Sequence, residues 1–67
     1  MAEVVTVDEF RDAVRAWVQT RDSARRELAA RFDASLSTVD RWWLGTNSPH
    51  PLLRVAVVEW IREQKAP

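Results

Sequence analysis

Apolar residues return every three or four positions along this chain, and nowhere do they alternate as a half-buried strand requires. Phe10, Val14, Trp17 and Val18 fall at i, i+4, i+7 and i+8. Arg11, Asp12, Arg15 and Gln19 lie between them, so a helix here has one apolar stripe and one solvated face. This pattern predicts an all-α fold, a small bundle of four to five short helices. The stripes must supply nearly all of its stability, because 67 residues hold one small core and no cysteine is present to form a disulfide. Hydrophobic residues make up 46% of the chain and include four Trp and two Phe, enough material for one core in a single domain over 1–67.

Local signals place the helix ends. Thr6-Val7-Asp8-Glu9 has the form of a capping box, so a first helix starts near Val7 and runs to about Thr20. Ser23 is placed to cap a second helix with Leu28, Ala29 and Phe32 inward and Arg25, Arg26 and Arg31 outward. Asp33-Ala34-Ser35 then interrupts the pattern, and Asp tolerates the left-handed backbone of a tight turn. Ser35 caps a third helix that runs to about Leu44. Val39 and Trp42 point inward on it, Leu36, Ser37, Asp40 and Arg41 point away, and Gly45 suits its stop. Thr46 to Pro51 reads as a loop, with Pro51 at the first position of a last helix over about 52–64. There Leu53, Ala56, Val57, Trp60 and Ile61 form the stripe, while Leu52, Val55 and Val58 make a second apolar face.

Several function classes drop out. One histidine and no cysteine leave too few ligands for a zinc site, so neither metal nor cofactor is expected. His50 sits between prolines with no acid or nucleophile near it and reads as a loop residue, and the serines occupy turn positions, so the chain is not expected to be an enzyme. Trp17, Trp42 and Trp60 lie on stripes and read as core. Met1 to Phe10 lacks the basic-then-apolar order of a signal peptide, and Arg54 interrupts the longest apolar run. Both point to a cytoplasmic chain, nucleoid-associated if it binds DNA. Nine arginines to one lysine is the usage of a GC-rich bacterial coding sequence.

Ten basic and ten acidic residues cancel, but unevenly. Residues 1–20 carry Glu3, Asp8, Glu9 and Asp12 against Arg11 and Arg15. Residues 21–31 carry Arg21, Arg25, Arg26 and Arg31 against Asp22 and Glu27. The basic excess falls at the second helix, the first half of a helix-turn-helix over about 24–44. In such a unit Ala29 must be small where the two helices cross, and Val39 and Trp42 anchor the second helix while its outer face is presented to a major groove.

Arg26-Glu27-Leu28-Ala29-Ala30-Arg31-Phe32, Ser35, Ser37-Thr38-Val39-Asp40-Arg41-Trp42, Gly45 and Pro49 together resemble the phage repressor-like helix-turn-helix domains, which include the xenobiotic-response-element regulators of bacteria. The likeness covers roughly residues 24–61. Three positions depart from it: Asp33 stands where that family usually has Gly, Leu36 where a polar base-reading residue is common, and Trp43 where a charged residue is usual. The resemblance implies a small transcriptional regulator that binds double-stranded DNA, with Ser35, Leu36, Ser37 and Arg41 against base edges. It also implies Thr38 and the start of the second helix, Arg25 and Arg26, near phosphates. The chemistry of these side chains fits the roles: Arg41 can pair bidentately with guanine, Ser37 can donate or accept, and Leu36 can meet a thymine methyl. Asp40 would repel phosphate unless it pairs with Arg41 or accepts from a cytosine amine.

The second apolar face of the last helix predicts a homodimer, in solution or on DNA, with Leu52, Val55 and Val58 in its interface and Trp43 at the rim. Trp43 projects about 100° from Trp42 and is either covered by the Thr46 to Pro51 loop or exposed at an interface. Two other functions fit the same residues: a protein-interaction module using Trp43 and the last helix, and a DNA-targeting factor of a transposition or recombination system.

Overall fold

Local hydrogen bonds set the helix starts, and the ends of the first three helices, in the computed structural model, which describes residues 5–65. Helix α1 spans Val7–Val18. Thr6 Oγ1 accepts from the Glu9 amide at 3.1 Å, and the Glu9 carboxylate accepts from the Thr6 amide at 3.4 Å, which closes the capping box. The helix stops short of Thr20, whose amide and hydroxyl both turn back onto the Trp17 carbonyl, at 3.0 and 2.7 Å.

Helix α2, Ala24–Arg31, starts after Ser23 as expected, but Ser23 does not cap it with its side chain. Its backbone is helical (φ −83°, ψ −9°) where a capping residue is extended, and its hydroxyl donates instead to Glu27 Oε2 at 2.6 Å. The α2 C-terminus closes as a Schellman motif. Asp33 takes φ 52°, its amide reaches the Ala30 carbonyl at 3.4 Å, and the Ala34 amide reaches the Ala29 carbonyl at 2.8 Å. Helix α3, Leu36–Leu44, is capped by Ser35 Oγ, which accepts from the Thr38 amide at 3.1 Å. It ends on Gly45 at φ 83°, with the Gly45 and Thr46 amides both on the Arg41 carbonyl at 3.1 Å. A side chain there would meet both a left-handed backbone and the Arg11 stem, which lies 3.3 Å from where a Cβ would sit.

Helix α4 spans Pro51–Lys65. His50 caps it: Nδ1 accepts from the Leu52 amide at 3.1 Å, and the His50 carbonyl accepts from the Leu53 and Arg54 amides at 2.9 and 3.0 Å. The register of α4 differs from the expected stripe. Val57, Val58 and Ile61 are buried, Leu53, Val55 and Trp60 are half-buried, and Ala56 faces solvent. Turning Val58 inward in place of Ala56 removes more apolar area from water. It also brings Arg54 to the same side, where Nε donates to the Val5 carbonyl (3.3 Å) and Nη1 to Ser48 Oγ (3.1 Å) and the Pro49 carbonyl (2.9 Å).

The architecture is therefore all-helical, with α1 at the centre and α2, α3 and α4 packed around it. Phe10, Val14 and Trp17 of α1 meet Ala24, Leu28 and Ala29 of α2, Val39 and Trp42 of α3, and Val57, Val58 and Ile61 of α4. Aromatic rings meet edge to face: Phe10 on Trp42 at 5.6 Å, Trp17 on Trp60 at 5.2 Å, and Phe32 on Trp60 at 6.1 Å. The Trp17 indole also donates to the Ala24 carbonyl at 2.9 Å inside the core, pinning the start of α2 to α1. Trp17, Trp42 and Trp60 thus serve the core, as their spacing suggests. No helix among the described residues is long and apolar enough to cross a membrane.

Candidate nucleic-acid interface

Helices α2 and α3 and the turn between them form a paired unit. Ala29, 6% exposed, lies in the core with Leu28, Val39 and Trp42. Its small size lets α2 and α3 approach, and anchoring α3 on one side fixes what it presents on the other.

The outward side of α3 carries Leu36, Ser37, Arg41 and Leu44, with Asp40 half-buried beside them. Leu36 is 38% exposed and Leu44 56%. Ser37 and Arg41 are exposed, and no side chain among the described residues holds either of them by a hydrogen bond or an ion pair. Ser35 and Thr38 differ from these two. Their hydroxyls lie 2.9 Å apart, and Ser35 Oγ also takes the Thr38 amide, so both groups are engaged in starting the helix.

The arginines of the unit divide in the same way. Arg26 is exposed with no carboxylate within ion-pair distance among the described residues. Arg31 is exposed and lies over the Phe32 ring at 5.0 Å. Arg21 lies over Trp17 at 4.9 Å and grips the Glu27 carboxylate with two nitrogens, one of them Nε at 3.0 Å from Oε2. The hydrogen bonds from Arg21 and then Ser23 hold the Glu27 carboxyl down to about 2, and the Arg21 guanidinium is raised in turn by the same contact. Arg25 is not free: its Nε lies 2.8 Å from Asp40 Oδ1, linking α2 to α3.

Asp40 therefore pairs with Arg25 and not with its neighbour Arg41. The same Oδ1 that forms the ion pair with Arg25 accepts a hydrogen bond from the Trp43 indole Nε1 at 3.2 Å. Trp43 is half-buried, and its carbonyl accepts from Arg15 Nη2 of α1 at 3.5 Å. It is held by its own helix and α1, so neither the loop nor an interface is needed to account for it. Of the residues expected at a dimer interface, Val58 is a core residue at 3% exposure, Val55 is half-buried, and only Leu52, at 76%, stands fully outside. The second apolar face of α4 shrinks accordingly.

Sequence reasoning missed three polar anchors. The Asp40 to Trp43 bond spans i, i+3 on a helix and was open to view. The Arg25 to Asp40 pair joins two elements, and the Arg54 clamp reaches 49 residues back to Val5, so no local pattern announces either.

No cluster of three or more His, Cys, Asp or Glu side chains among the described residues is arranged to hold a metal ion. The chain matches no protein-family model, no curated protein and no solved structure.

Proposed function

We propose that this chain binds double-stranded DNA by placing the outward face of α3 in the major groove, and that it acts as a small transcriptional regulator by occupying its site. One observation carries the reading. A short helix is anchored on a core through Val39 and Trp42, and its opposite side offers Ser37 and Arg41, which have no side-chain partner among the described residues. An arginine so placed has its full fork available for guanine O6 and N7, and Leu36 at the start of the same helix offers an apolar surface to a thymine methyl. Arg26, exposed on α2, supplies a phosphate contact, which positions the protein without reading sequence.

A role as a protein-interaction module through Trp43 and α4 has less support, because Trp43 is engaged by Asp40 and Val58 lies in the core. Targeting of a recombination or transposition system uses the same DNA face, and occupancy alone does not separate it from regulation. With Val58 buried, two chains on one duplex would be held by DNA more than by α4.

Selection of bound duplexes from a random pool tests the proposal. Enrichment of a short motif containing a guanine is expected. Recovery of no motif, with no duplex retained at moderate salt, would overturn it.

A further inference from the structure

A carboxylate on a DNA-binding face works against phosphate, yet Asp40 stands on this one. Its side chain is 32% exposed and that of Arg25 43%, so a phosphate arriving here meets both. At 2.8 Å the two charges form a pair of zero net charge, on a chain whose formal net charge is also zero. A pair this open to solvent contributes little to folding, so tying α2 to α3 is a weak account of it. Its electrostatic consequence is larger. Each arginine free to meet phosphate adds a sequence-independent increment of affinity and about 0.9 to the slope of log K against log salt. An arginine already neutralised adds neither.

We propose that Asp40 is a specificity-determining residue that neutralises Arg25 and so holds down the phosphate-driven, sequence-independent part of DNA affinity. The inference rests on the DNA-binding reading above. With Arg25 offset, Arg26 and the outward side of α3 carry the encounter, and retention on arbitrary duplex stays weak. Occupancy then depends on what Arg41, Ser37 and Leu36 meet. Trp43 shares the same Oδ1, and an asparagine at position 40 keeps an acceptor for its indole while losing the charge.

The test is a salt series of binding to a random-sequence duplex, read by fluorescence anisotropy, for the wild type, Asp40→Asn, Arg25→Ala and the double variant, with thermal melts to confirm that each is folded. Asp40→Asn is expected to tighten binding about fivefold near 0.1 M salt and to steepen the salt slope by about one. Arg25→Ala, which leaves Asp40 unopposed, should weaken binding, and the double variant should return close to wild type. A tether without an electrostatic role would not restore binding in the double variant. Weaker or unchanged binding by Asp40→Asn, on a wild type that does bind, would overturn this inference and leave the DNA reading standing. Binding by Asp40→Asn alone would support both, and no binding by either protein would remove the DNA reading itself.

Discussion

Helices α3 and α4 both pack on α1, but their apolar residues are patterned in opposite ways, sparse in the first and dense in the second. Helix α3 has two strongly inward residues, Val39 and Trp42, and its outer side is polar apart from Leu36 and Leu44. Its rotation about its axis has one solution. Helix α4 has apolar side chains at seven positions between Leu52 and Ile61 other than the small Ala56, so several rotations bury a stripe. The one adopted buries Val58, exposes Ala56 and brings Arg54 against the Val5 carbonyl and the Ser48 to Pro49 loop. Sparse apolar patterning fixes an orientation, whereas dense patterning leaves it to the polar anchors.

The largest expected effect tests the α3 side of this contrast. Trp42→Ala empties a buried volume that α1 and α3 share with Phe10, at a cost of about 3–5 kcal/mol, comparable with the whole stability of a small domain. Ala29→Leu overpacks the neighbouring contact between α2 and α3 and should cost about 1–3 kcal/mol. Thermal and urea melts measure both. A Trp42→Ala variant that melts like wild type would dissolve the single-solution argument for α3.

The α4 side is sharpened by a pair of substitutions two residues apart. Val58→Ala should lose about 1–3 kcal/mol, and Ala56→Gln should stay within about 0.5 kcal/mol of wild type. The reverse order would restore the register in which Val58 faces outward and, with it, the case for an α4 dimer. Sedimentation of the free protein offers a parallel check: a monomer agrees with a buried Val58.

A smaller effect separates the polar anchors from both helices. Glu27 is held down to about 2 in the folded chain by Arg21 and Ser23, against about 4.3 for an unperturbed glutamate. A carboxyl depressed on folding stabilises above its unfolded value and loses that contribution as pH falls toward its folded value. Melts of wild type and Glu27→Gln should differ most above about pH 4.5 and converge as the pH approaches 2. A constant gap across that range would show that Glu27 acts through packing and not through charge.

What could be read from the sequence follows the range of each interaction. Thr6 with Glu9, Asp33, Ser35 with Thr38, and Gly45 were all legible, because a cap or a left-handed turn is decided within three or four residues. His50 as the cap of α4 is equally local, but its imidazole is not a usual capping group and it read as a loop residue. The rotation of α4 and the Arg25 to Asp40 pair depend on which elements meet in space, and periodicity carries no record of that. On the candidate DNA face, the outward placement of Leu36, Ser37 and Arg41 was legible from Val39 and Trp42 alone. The engagement of Arg25 and Trp43 by Asp40 was not.

The central claim, that the outward side of α3 reads bases, is tested most directly through Arg41 on the selected duplex and on its single-base variants. Arg41→Ala is expected to remain folded, to lose about 1–3 kcal/mol on the selected site, and to lose its preference at one base pair only. Equal losses on every duplex would make Arg41 a phosphate contact, and no loss on any of them would contradict the claim.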